Sequence, residues 1–180
     1  PEINRSLENV GIGFAAFLAP PGPEVIRFTV GQPDFDTPQP VVDEAKAALD
    51  RGETTYTRTQ GSIELCDAVA HHLSSHNIVA DPSDIVITPG CKQAVLYSMM
   101  ATLDAGDEVL LLSPAWPSYD GMLKLLGCKP VHVPVKRDNY HPDFNALENA
   151  ITGKTKAILL NSPNNPTGAV YTPEEIQQLV

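Results

Sequence analysis

Glu108-Val109-Leu110-Leu111-Leu112-Ser113-Pro114-Ala115-Trp116-Pro117-Ser118-Tyr119 is the stretch that decides the fold. Val109 to Leu112 is apolar without polar alternation, so it reads as a strand covered on both faces, and such strands belong to parallel sheets flanked by helices. The proline-fixed run behind it reads as a loop at the strand's carboxyl end. Working outward, short β-rich runs alternate with helical ones from residue 84 onward. Strands are expected at Ile85–Ile87, Val109–Leu112, Val131–Val133 and Ala157–Leu160, with helices near 92–103, 119–126 and 143–151. Upstream, apolar spacing predicts helices over 39–51 and 63–76, preceded by a stiff connector, Ala19-Pro20-Pro21-Gly22-Pro23, and a short strand at Val25–Val30. Thr172-Pro173-Glu174-Glu175 reads as an N-cap with proline at the first helical position. The expected class is α/β, a mostly parallel sheet with helices on both faces. An entry segment over 1–38 and a large domain over 39–180 are expected, the latter cut inside its last helix.

Composition narrows the partners. Among 180 residues, 22 are acidic and 12 basic, a net charge of -10, and the scattered basic residues do not make a nucleic-acid surface. With 42 % hydrophobic and 19 % charged residues the chain has the makings of a packed core. No apolar run approaches the ~20 residues that span a bilayer, so no membrane partner is expected. Cys66, Cys91 and Cys128 are odd in number and far apart, which favours neither a disulfide framework nor a zinc ribbon and fits a cytoplasmic location. Pro1 is not an initiator methionine, and residues are expected upstream of it.

Ligands of open α/β sheets bind outside the carboxyl ends of the strands, so the segments behind each strand are the places to inspect. Behind Ile87 comes Thr88-Pro89-Gly90-Cys91-Lys92-Gln93, a glycine turn running into a helix. A helix start with Lys92 beside it suits a phosphate, although an ordinary strand-to-helix turn has the same look. Behind Leu112 stands Trp116, the one tryptophan, placed to stack on a planar ligand or to close the core beneath its loop. Behind Leu160 comes Asn161-Ser162-Pro163-Asn164-Asn165-Pro166-Thr167-Gly168, with the Asn164 and Asn165 amides in a backbone held by prolines. An Asn-Pro bond there tolerates a cis peptide. Other signals carry less. Gly11-Ile12-Gly13-Phe14-Ala15-Ala16 lacks the preceding strand a dinucleotide loop needs, and His72 and His76 have zinc-like spacing without a third ligand. No metal is expected. Asn4-Arg5-Ser6 is a formal sequon on a chain with no sign of secretion, and Cys91 reads as a phosphate contact rather than a nucleophile.

Taken in order, these segments resemble the class I pyridoxal-phosphate aminotransferases of fold type I, in the aspartate aminotransferase-like group. The resemblance is carried by Gly31-Gln32-Pro33-Asp34-Phe35-Asp36-Thr37-Pro38, Tyr56, Gln60-Gly61, Glu64-Leu65, Thr88-Pro89-Gly90-Cys91-Lys92-Gln93-Ala94, Gly106-Asp107-Glu108-Val109, Ser113-Pro114-Ala115-Trp116 and Asn161 to Gly168. It implies an incomplete fold type I large domain with pyridoxal 5'-phosphate as cofactor. It also implies site residues. Gly90, Cys91 and Lys92 would hold the cofactor phosphate, and Trp116 would stack on its ring. Asn165 would bond its phenolic oxygen, and Gly31 would lie against the substrate α-carboxylate, with Trp116 and Asn165 also bordering the substrate. Tyr56 would reach the phosphate in the neighbouring subunit of a homodimer.

The implied reaction moves an amino group between an amino acid and a 2-oxo acid, aspartate being the first expectation and alanine or aromatic amino acids the alternatives. The family's catalytic lysine follows the Asn-Pro-Thr-Gly loop by several elements. None of the seven lysines present matches it, so the 180 residues alone are expected to be inactive. Two other readings share the motifs, a β-eliminating lyase of the same fold type and a non-catalytic regulator domain that binds the cofactor as an effector.

Overall fold

The computed structural model describes Gly31 and residues 33–180. Most of the expected entry segment, including the proline connector and the strand at Val25–Val30, lies outside the described residues. Two compact units divide the chain, one ending at Val95 and the other running from Leu96 to Val180.

In the first unit, α1 (Gln39–Asp50) opens with proline in its first turn, and α2 (Ile63–Ser74) is capped by Ser62, whose hydroxyl accepts from Leu65 N–H at 3.2 Å. Periodicity explains α2, since Cys66 and Ala70 lie four apart on one face and are buried with Ile85, flanked by Val69, Leu73 and Ile87. The strand expected at Ile85–Ile87 is not formed among the described residues. Ile87 N–H donates to Gln60 O at 2.8 Å, but one bond is not a ladder, and an extended apolar run becomes a strand only beside a partner. This segment runs so close to Gly61 that an added Cβ would sit 2.6 Å from Ile87 Cγ1, and φ of +112° disfavours a side chain there in any case.

Helix α3 (Cys91–Thr102) crosses the boundary between the units. In the second unit β1 (Glu108–Ser113), α4 (Pro117–Leu125), β2 (Lys129–Pro134), α5 (Phe144–Ala150), β3 (Thr155–Leu159) and α6 (Pro173–Leu179) follow. The strands form a parallel sheet in the order β2-β1-β3. β1 pairs on both sides, and Val109 to Leu112 are at most 4 % exposed, as an apolar run without alternation predicts. Pleating sends Leu110 and Leu112 to one face, where they pack with Val133, Leu147 and Tyr171, while Val109 and Leu111 point to the other. The crossover from β1 to β2 and the one from β2 past β1 to β3 run in opposite directions, so right-handed connections put α4 and α5 on opposite faces.

At the amino end of the sheet Glu108 is buried. It accepts from Lys129 Nζ at 2.9 Å and from Thr152 Oγ1 at 2.6 Å, tying the starts of β1 and β2 to the approach to β3. The Thr152 hydroxyl first, and the Lys129 ammonium with it, hold the Glu108 carboxyl below the ordinary glutamate range.

Candidate active site

Because β2 lies on one side of β1 and β3 on the other, the chain leaves the carboxyl ends of β1 and β3 in diverging directions. Such a reversal of strand order marks the usual ligand position of an open α/β sheet. The two loops bordering it are Ser113 to Trp116 and Asn161 to Gly168.

A buried amide joins them. Asn164 is 8 % exposed, and its Nδ2 donates to Pro114 O at 3.2 Å and to Thr167 Oγ1 at 2.8 Å. Its own backbone is closed into a turn, with Asn164 N–H donating to Ala169 O and Gly168 N–H donating back to Asn164 O, both at 2.8 Å. Asn161 adds a second tie, its Oδ1 accepting from Asn165 N–H at 3.2 Å and lying 3.5 Å from the Tyr119 hydroxyl. Ser113-Pro114, Ser162-Pro163 and Asn165-Pro166 are all cis. Trp116 is half-buried at the N-cap of α4, and its ring stands perpendicular to that of Tyr119, with centroids 5.2 Å apart. Pro117 fixes the first residue of the helix, which places the indole where the loop ends.

Beside these loops Ser113 Oγ lies 2.8 Å from His132 Nδ1, and His132 Nε2 lies 3.0 Å from Asp120 Oδ1. Lys124 pairs with the other carboxylate oxygen one helical turn on. Burial raises the Asp120 carboxyl, but the bonds from Lys124 and His132 outweigh it and leave the group below the ordinary aspartate range.

The first unit holds the other expected residues. Gly90 turns with φ of +89°, its N–H donates to Thr88 O at 2.8 Å, and an added Cβ would meet nothing within 4 Å. Cys91 and Lys92 follow as the first, exposed residues of α3. The first-turn N–H groups of a helix point out of its end with partial positive charge, so this turn has the character an anion needs. Gly31 is exposed with open space at its missing Cβ, and Tyr56 is fully exposed. Within the second unit the structure brings the Trp116 and Asn165 loops together. Asn164, Asn161 and Tyr119 complete that meeting; the sequence pattern marked the Asn164 amide but not its tie to Pro114, and it did not single out Asn161 or Tyr119.

An open α/β sheet with tied, asparagine-rich and aromatic loops at its switch point has the layout of a ligand-binding α/β domain. Residues 23–180 match the family described as aminotransferase class I and II. The chain is 44 % identical over 163 residues to the aspartate aminotransferase of Sulfolobus acidocaldarius, covering 88 % of this chain and 41 % of that protein. It is 42 % identical to the aspartate aminotransferase of Bacillus subtilis, covering 88 % of this chain and 41 % of the relative. Among solved structures, the aspartate aminotransferase from Thermus thermophilus with maleate superposes with a TM-score of 0.80 at 41 % identity, over 83 % of this chain and 40 % of that one. The aromatic aminotransferase from Pyrococcus horikoshii OT3 gives 0.86 at 38 % identity, over 98 % and 45 %. The chain belongs to the class I and II aminotransferases, enzymes that use pyridoxal 5'-phosphate. It spans about two fifths of the length of these relatives.

Proposed function

We propose that the protein to which these residues belong is an aspartate aminotransferase, moving the amino group between aspartate and a 2-oxo acid. The observation that carries this reading is the pair of loops at the carboxyl ends of β1 and β3, held together by Asn164, in a chain 44 % identical to a relative named for aspartate. A dicarboxylate, maleate, accompanies one of the similar structures, which supports a four-carbon diacid substrate.

The donor types fit the cofactor. The Gly90 turn leaves room for close approach to the exposed helix start at Cys91 and Lys92, which would take the phosphate. Trp116 would lie against the ring, and Asn165, its backbone fixed by Asn161, would reach the phenolic oxygen. When bound, pyridoxal phosphate supplies the electron sink that makes the Cα–H bond of the amino acid acidic. The chain's own part is orientation. Trp116 limits the tilt of a planar group, Asn165 offers a neutral amide whose dipole favours one protonation state at the phenolic oxygen, and Gly31 leaves backbone open to a carboxylate. Tyr56 would serve the phosphate of a second subunit in a cytoplasmic homodimer, consistent with its full exposure here. The catalytic lysine would lie outside these 180 residues, which alone would be inactive.

The test is a transaminase assay of the full-length protein with aspartate and 2-oxoglutarate, alanine and an aromatic amino acid alongside. Formation of oxaloacetate and glutamate supports the reading. Ammonia release without amino transfer points to the lyase, and cofactor binding without turnover to the regulator domain. Borohydride treatment of the 180-residue chain with the cofactor is expected to label none of its seven lysines.

A further inference from the structure

Ser113, His132 and Asp120 form a hydrogen-bonded chain that the apolar core does not require. The sheet register sets His132 opposite Leu111, so it shares a face with Ser113 two residues on. Asp120 comes to the same place from the first turn of α4. One imidazole therefore bridges the last residue of β1 and the start of α4, at 2.8 Å and 3.0 Å. Trp116 sits within the bridged span, between Ser113 and Asp120. From the other side, Asn164 holds Pro114 of the same segment.

We propose that His132 is a positioning residue for Trp116, closing a clamp across residues 113–120 that fixes the attitude of the indole. The proposal rests on the reading above that Trp116 stacks on the cofactor ring. Its chemistry follows from the partners. A carboxylate only accepts, so the Nε2–H of His132 donates to Asp120, and in the neutral ring Nδ1 accepts from the Ser113 hydroxyl. In the charged ring Nδ1–H donates to Ser113 Oγ instead, and that hydroxyl turns toward Leu111 O at 3.4 Å. The bridge survives in either state. The charged group on the imidazole is the Asp120 carboxylate, itself paired with Lys124 of the same helix, while β1 contributes the neutral Ser113 hydroxyl. Glutamine carries a donor and an acceptor side by side as the two ring nitrogens do. Alanine carries neither.

The test uses the full-length protein with fluorotryptophan incorporated, the Trp116 resonance being identified by its loss in W116F. With two partly exposed hydrogen bonds at stake, H132A and S113A are each expected to shift or broaden that resonance without cofactor and to weaken pyridoxal phosphate binding about three- to tenfold, while H132Q stays within about twofold of the parent. An unmoved resonance in both H132A and S113A overturns the proposal, as does an H132Q protein as impaired as H132A. Circular dichroism verifies the fold, and S113A, which removes a single hydroxyl, carries the test should H132A not fold. W116A separates the two levels of argument. Unchanged cofactor affinity in W116A sinks the stacking reading, whereas affinity lost in W116A but kept in H132A and S113A sinks the clamp.

Discussion

The two ends of β1 treat polar residues differently. At the amino end the Glu108 carboxylate is buried, its two oxygens accepting from Lys129 and Thr152, while the lysine itself reaches into solvent. At the carboxyl end Ser113, Trp116, Asn161 and Asn165 bond along the edges of loops while remaining half-buried or exposed, and only Asn164 is buried. The same strand thus begins with a buried carboxylate bonded at both oxygens and ends in an open set of donors and acceptors. The lesson is that a buried, fully satisfied polar group holds a fold together, whereas a partly open one beside a tied loop is placed to meet something else.

The sharpest way to break this contrast is between the two ends. Leu111→Ala removes a side chain 1 % exposed and is expected to cost about 3 kcal/mol of unfolding free energy in a denaturant titration, lowering both ends together. Asn164→Ala should cost about 2 kcal/mol, because it takes a buried amide from the Pro114 carbonyl, and it should also loosen cofactor binding in a spectroscopic titration. Equal affinity for pyridoxal phosphate in that variant would mean the two loops need not be tied.

Glu108→Gln should lower the melting temperature less than Leu111→Ala and leave cofactor affinity unchanged, which tests whether the amino end is purely structural. It also has a pH signature. The folded carboxyl of Glu108 lies below its ordinary range, so its stabilisation is complete above that range and is lost as the pH falls through the folded value. Glu175 behaves alike, held down first by the Thr172 N–H and then by His141. The parent should therefore lose stability on acidification more steeply than Glu108→Gln, measured as melting temperature against pH. Smallest of all, Thr172→Ala should cost about 1 kcal/mol, since it opens the capping box of α6 at neither end of β1. A larger loss would show that the packing of Ile176 and Leu179 on the core depends on that cap.

Most of the architecture could be read from the order of residues, because an unbroken apolar run such as Val109 to Leu112 and the four-residue spacing of α2 are local signals. Ile85 to Ile87 carried the same local signal without becoming a strand, since a ladder depends on what lies alongside. The candidate site was legible in its loops but not in its ties. Nothing local distinguishes Asn164 from Asn165, yet one is buried and joins two loops while the other is exposed. Ser113, Asp120 and His132 share no motif, and only the register of β1 on β2 and the first turn of α4 bring them together.

The sheet order has a consequence in time. The Glu108–Lys129 contact between β1 and β2 closes a separation of 21 residues, and the Glu108–Thr152 contact leading into β3 closes one of 44. Each doubling of a closed loop costs about 0.6 kcal/mol in chain entropy, so the shorter β1-α4-β2 crossover is favoured to assemble first and β3 to dock afterwards. The loops at the carboxyl ends of β1 and β3 meet only once β3 has arrived, and on this order a refolding chain acquires its secondary structure before it can capture a ligand.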